Sequence, residues 1–211
     1  MNYRIFILLI TMSYILKFIL ALLSSQNDLL VIARASFYIT QGQWNIYDYM
    51  SRPEIYAKDV VPGHPPAPYP YSAYLFTAAW LELLRLIGLI TYEGWTAVWA
   101  LPAPNWWFFL LKLPYLAADI AIGGLLARLL TPRKGLLAWA LWSWSASAAY
   151  LLFMGQNDLY PTLFIALAAY LGSRAIAIRR LGGSRCRANA LSVGAMLALG
   201  IGATFKLFPL F

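Results

Sequence analysis

Apolar residues run through this chain in long unbroken stretches, not in the short alternation of strands. Residues 5–23, 106–130, 136–153, 159–178 and 190–211 each approach the roughly 20 apolar residues that cross a bilayer as a helix. A sixth stretch, 72–90, has the length but is interrupted by Glu82 and Arg85. Each charge inside a span costs about 3 kcal/mol. Alternation of the barrel kind is absent. The pattern predicts an all-α integral membrane protein with about five transmembrane helices. The first run is too long for a signal-peptide core and no clean small-residue cleavage site follows it, so it reads as a retained span. The last run ends inside apolar sequence. The expectation is a single membrane domain over 1–211, truncated at its carboxyl end.

Basic residues set the expected topology. Arg128, Arg133 and Lys134 form one cluster, and Arg174, Arg179, Arg180, Arg185 and Arg187 another. Both belong on the cytoplasmic side. With Arg4 favouring an inside amino terminus, 5–23 runs outward and 106–130 runs inward. Residues 24–105 then form one outer loop, and 72–90 lies along the interface as an amphipathic helix, with Glu82 and Arg85 three apart on its polar face. Residues 24–41 read as a second interfacial helix, with Ser25-x-x-Asp28 as a capping box and Gly42 as its stop. Residues 45–71 read as irregular chain, because their many prolines exclude a continuous helix or central strand.

Composition agrees. The chain is 62% hydrophobic and 11% charged, with a net charge of +8, whereas a soluble domain is near half apolar and a quarter charged. The excess of basic residues sits in short loops, so topology accounts for it and no nucleic-acid partner is expected. The single Cys186 excludes an internal disulfide. No Asp-x-Asp pair and no His/Cys cluster with metal spacing is present, so neither a metal site nor a cofactor is expected. No glycine-rich nucleotide loop appears.

Several polar residues stand out. Asp28 lies at the water end of the first span, where it either caps its helix or does chemistry. Arg34, six residues on and about 120° around a helix, either binds phosphate or meets lipid headgroups. His64 is the sole histidine, and either donates to a phosphate or sugar or is an exposed loop residue. Lys112 and Asp119 lie inside a span, seven apart on one face, as an ion pair or as functional groups. Gln156, Asn157 and Asp158 precede Pro161 at a span's outer end, where helix-start grammar explains one of the three. Lys206 is placed to snorkel or to meet phosphate. Arg52 and Lys58 are further phosphate candidates, against a plain solvated surface. Tyr47, Tyr49, Tyr69 and Tyr71 suit either sugar stacking or interfacial anchoring.

Asp28 leading a helix, then Gly42 and Asn45-Ile46-Tyr47-Asp48, resembles the first outer loop of GT-C glycosyltransferases. Pro68-Tyr69-Pro70-Tyr71 before an interfacial helix does so too. Gly155-Gln156-Asn157-Asp158, Lys112-Leu113-Pro114-Tyr115 with Asp119, and Phe205-Lys206-Leu207-Phe208-Pro209 are similar to motifs of the polyprenyl-phosphate-mannose-dependent branch. The resemblance covers nearly the whole chain. It implies a mannosyltransferase acting at the outer face of the plasma membrane, with Asp28 as general base. The donor would be a polyprenyl-phosphate sugar and the acceptor a lipid or glycan hydroxyl, among membrane lipids. Arg34, His64, Lys112, Gln156, Asn157, Asp158 and Lys206 would bind substrate. Asn27-Asp28 departs from the paired acidic motif of some GT-C families, which speaks against metal dependence. Two other readings are a transporter or lipid-handling scaffold built on Lys112 and Asp119, and an inactive remnant of the enzyme.

Overall fold

The computed structural model describes residues 3–24, 27–55, 69–92, 106–145 and 158–205, with Asn27 and Asp28 described by their helical backbone alone. Among these residues the secondary structure is helical, without strands. The helices are α1 (Tyr3–Leu23), α2 (Asn27–Thr40), α3 (Ile46–Met50), α4 (Tyr71–Leu86), α5 (Trp106–Leu129), α6 (Pro132–Ser143), α7 (Leu159–Arg180) and α8 (Arg185–Phe205). Four of them, α1, α5, α7 and α8, are long and apolar enough to cross a membrane. The chain divides into two compact units, residues 20–113 with 153–156, and residues 1–19 with 114–152 and 157–211.

The unit built on 20–113 is organised by α2 and α4. Ile32, Ala35 and Ile39 of α2 meet Tyr74 and Ala78 of α4, with Ile46 and Met50 of α3 closing the cluster. The 3- and 4-residue spacing on α2 is the apolar stripe of a helix that faces a partner on one side. α2 stops where the sequence places its glycine. Gly42 has φ +87°, Gln43 N–H donates to the Tyr38 carbonyl at 2.9 Å, and Gly42 N–H donates to the Ile39 carbonyl at 3.0 Å. That pair of bonds is the Schellman ending, which needs a left-handed residue. Gly88 ends α4 in the same way, with φ +74° and bonds from Leu89 to Leu84 and from Gly88 to Arg85. The stretch 45–71 is less irregular than its prolines imply. The first of them is Pro53, and Asn45 Oδ1 accepts the Asp48 N–H, so α3 forms ahead of it.

In the other unit the buried positions of α1 are Phe6, Ile10, Ser13 and Lys17, spaced by three or four along one stripe. Phe6 and Ile10 pack on Ala140 of α6. α7 and α8 are joined by a four-residue turn, 181–184, and bury small residues, Ala168 and Ala175 on one and Ala188, Ala198 and Gly202 on the other. Small side chains let backbones approach where lipid provides no hydrophobic drive. Arg179 ties the turn end of the pair, donating to Asn189 Oδ1 at 3.0 Å.

The expected helix over 136–153 differs. α6 begins earlier, at Pro132, because Thr131-Pro132 is a strong start with proline in the first turn. It stops at Ser143, after 12 residues, a rise of about 18 Å. The Ser143 carbonyl, at the end of α6, accepts Ser13 Oγ at 2.6 Å. The Ser143 hydroxyl turns back onto the Ala140 carbonyl. Residues 146–153 lie outside the described residues.

Candidate functional site

Asp28 lies in the first turn of α2, four residues past Ser24. The end of α1, before it, is held by Lys112. This side chain is 1% exposed, and its ammonium donates to the Ser24 carbonyl at 2.5 Å, the Ser24 hydroxyl at 2.7 Å and the Ala21 carbonyl at 3.3 Å. An ammonium has three N–H donors, so the three acceptors use them all. The acceptors lie at the carboxyl end of α1, whose last carbonyls have no partner within the helix and carry partial negative charge. Ser24 Oγ donates to the Leu20 carbonyl at 2.7 Å as well. Lys112 therefore latches the exit of the first long helix to the start of α5.

α5 gives up one backbone bond to do this. Pro114 has no N–H for the Leu110 carbonyl. That carbonyl is taken by Trp80 Nε1 of α4 at 3.0 Å. The proline in the Lys112-Leu113-Pro114-Tyr115 run thus creates the acceptor on which α4 is hung.

The tyrosines of this unit serve one another. Tyr47 donates to the Tyr69 carbonyl and Tyr71 to the Trp44 carbonyl, both at 2.8 Å. Tyr74 accepts the Tyr69 N–H at 2.9 Å. The Tyr47 and Tyr74 rings meet edge to face with centroids 6.1 Å apart. Burial raises the Tyr74 phenol. Through these hydroxyl bonds Tyr47 and Tyr71 anchor the described ends of the loop, while Tyr47 stays exposed. Glu82 and Arg85 pair at 2.9 Å, as their spacing on the polar face implies, and Tyr92 donates to Glu82 at 2.6 Å. Burial pushes the Glu82 carboxyl up, but the bonds from Tyr92 and Arg85 outweigh it and leave the group below its usual value. Burial and the Glu82 bond raise Tyr92 to about 12. Arg52 pairs with Asp48 at 3.2 Å on the exposed side of α3.

Arg34 is half-buried on α2. Asp158 occupies the N-cap position of α7 but makes no side-chain cap bond; its carbonyl accepts both the N–H and the hydroxyl of Thr162. His64, Gln156, Asn157, Lys206 and Lys58 lie outside the described residues. Among the described residues no group of three or more His, Cys, Asp and Glu stands close enough to hold a metal ion.

The pairing of Lys112 with Asp119 gives way to another. Asp119 Oδ2 meets Lys17 of α1 at 2.5 Å, and the two side chains are 0% and 4% exposed. The Asp119 carbonyl accepts Trp142 Nε1 at 3.2 Å and the Tyr14 hydroxyl at 3.4 Å. Trp139 Nε1 donates to the Tyr14 oxygen, and the Lys17 ammonium stands 5.1 Å from the Tyr14 ring centre. Asp119 Oδ1 is buried without a hydrogen-bond partner. Lys17 is the residue that sequence reasoning missed. Its signal was present: Ser13, Tyr14 and Lys17 break an apolar run at helical spacing, so they share a face that cannot look at lipid.

Searches against protein-family models, curated proteins and solved structures found no match to this chain.

Proposed function

We propose that this chain is a GT-C-type membrane glycosyltransferase of the polyprenyl-phosphate-mannose-dependent branch. In this reading it has five transmembrane helices, with α2 and α4 lying along the outer face of the plasma membrane. α4 suits that place: it has 16 residues, short of the roughly 20 a crossing needs. It exposes Leu75, Phe76, Leu83 and Leu86, and its two charges, Glu82 and Arg85, pair with each other.

The observation that carries the reading is the Lys112 latch. It holds Ser24, four residues from Asp28, on an immobile buried cation. A general base must be held within hydrogen-bond reach of the proton it takes, and Asp28 sits in the first turn of α2, four residues along the chain from the serine that Lys112 bonds. In the reaction, Asp28 accepts the proton of the acceptor hydroxyl as its oxygen attacks the anomeric carbon. The bond from that carbon to the donor phosphate oxygen breaks with its electron pair, and the lipid phosphate departs with configuration inverted. Lys112, with its donors occupied, acts as a positioning residue. Arg34, His64, Gln156, Asn157 and Lys206 remain the proposed donors to sugar and phosphate, and Asp158 a proposed acceptor from sugar hydroxyls.

The test is transfer of radiolabelled mannose from polyprenyl phosphate to an alkyl glycoside by the full chain in liposomes. Asp28→Asn lowers transfer by about 10²- to 10⁴-fold with helical content unchanged. Undiminished transfer by this variant would remove Asp28 from the chemistry, and a folded wild-type chain that transfers nothing would favour the inactive remnant.

The buried Lys17–Asp119 pair, with Asp119 Oδ1 unpartnered, favours a second reading, a transporter. There, Lys17 and Asp119 variants stop solute from crossing vesicles and Asp28→Asn does not.

A further inference from the structure

A cavity on the other unit belongs to neither reading. It is a cleft of about 890 Å³ between α5, α6 and α7, walled by Ile120 and Gly124, Trp139, and Phe164 and Leu167, with Arg128 at one end. From Ile120 to Arg128 the groove follows α5 for about 12 Å. Its walls are aliphatic and aromatic apart from that arginine, which is exposed. Pro132, on the far side of the short turn, closes the same end, and Arg133 and Lys134 follow it directly. No acidic residue occurs between Ile120 and Ser145. The nearest carboxylate in sequence, Asp119, is already engaged with Lys17.

A hydrocarbon chain gains little by leaving one apolar surround for another, so the groove alone cannot choose among lipids. Choice has to come from the charged end. We propose that this cleft is a binding site for one anionic glycerophospholipid of the surrounding bilayer. One acyl chain lies along α5 between Trp139 and Phe164, and the phosphate is held by the Arg128 guanidinium. Arginine suits this role because its planar fork offers two parallel N–H bonds to phosphate oxygens. Arg133 and Lys134 add to the local positive field. Its guanidinium 5.9 Å from the Tyr3 ring centre, Arg133 is held close to the amino end of α1.

The experiment reconstitutes the full chain in equal phosphatidylglycerol and phosphatidylcholine, extracts it in mild detergent, and counts retained lipid by native mass spectrometry. The wild type retains one phosphatidylglycerol in preference to phosphatidylcholine. Arg128→Gln lowers that preference about five-fold, the worth of one basic residue beside an anionic headgroup. Gly124→Leu fills the groove, since a Cβ at Gly124 meets nothing within 4 Å, and it abolishes retention although every charge remains. Arg180→Gln, at the end of α7 and away from the cleft, leaves retention unchanged. Equal losses in the Arg128 and Arg180 variants would reduce the effect to general surface charge. Full retention by Gly124→Leu would remove the groove from the account. Displacement of phosphatidylglycerol by a polyprenyl monophosphate at equal concentration would overturn the assignment and give the cleft to an isoprenoid instead. Helical circular dichroism of each variant separates loss of lipid from loss of fold.

Discussion

Lys17→Met leaves Asp119 buried with no cation against it. At 2.5 Å and an effective dielectric constant of about 20, the attraction in the pair is about 6–7 kcal/mol. Removing each ion from water costs several kcal/mol, so the intact pair is close to break-even against two apolar side chains. Loss of one member is different, because the desolvation of the other stays. With exposures of 0% and 4%, little water reaches either group, and the cost of Lys17→Met is about 3–5 kcal/mol. Asp119→Leu costs a similar amount by stranding Lys17. The double variant Lys17→Met/Asp119→Leu returns to within about 1 kcal/mol of the wild type, giving a coupling energy of at least about 5 kcal/mol. The assay is unfolding by titration of dodecyl sulfate into bicelles holding the protein, followed by loss of helical circular dichroism. Two single variants that each cost under about 1 kcal/mol and add in the double would refute the reasoning, since they would mean that the pair is hydrated.

Three further outcomes follow from the 20–113 unit and its anchors. Lys112→Met strips three bonds from the end of α1; charged donors are worth about 1.5–3 kcal/mol each, and the desolvation of the buried ammonium, several kcal/mol, offsets part of the sum, so the net loss is about 3 kcal/mol; faster amide exchange over residues 21–24 locates it. Trp80→Phe leaves the Leu110 carbonyl without its indole donor and costs about 1–2 kcal/mol. The same change in a Pro114→Ala background, where residue 114 regains an N–H, costs close to nothing, and equal costs in the two backgrounds would sever the link. Glu82 is held below its ordinary value of 4.5, so its contribution is present above that pH and is lost as pH falls through the lower folded value. Tyr92 is raised from 10.0 to about 12, so its contribution is full below pH 10 and lost between 10 and 12. Glu82→Gln removes the acid-side loss, measured by pH-dependent unfolding.

Length and hydropathy placed α1, α5 and α7 within about two residues of their ends, because a long apolar run has few alternatives to a helix; α8 begins five residues before the expected start at 190, and the expected end at 211 lies outside the described residues. Gly42 marked the stop of α2 for a similarly local reason, a turn that only a left-handed residue closes. α6 was harder. Its last carbonyl, on Ser143, is bonded by Ser13, 130 residues away, and no periodicity within 136–153 carries that information. The candidate site divides along the same line. Lys112 stood out as a charge in an apolar run, and the helical period correctly put Asp119 on its own face. The period cannot say which neighbouring helix answers each charge, and both answers came from α1. Lys17 was passed over because a single lysine barely lowers the hydropathy of the run around it, while its meaning depends on Asp119, 102 residues on.

The Lys112 latch also sets an order of events during synthesis. Its acceptor Ser24 is made 88 residues before its donor. At about 5–20 residues per second that separation lasts about 4–18 seconds. Through that interval the last carbonyls of α1 exist without the ammonium that clamps them. A ribosome paused between residues 90 and 105 would hold a nascent chain whose first span is already inserted and whose α2 start is still untethered. A probe of backbone protection at residues 21–24 on arrested chains should turn from open to protected once Lys112 has emerged.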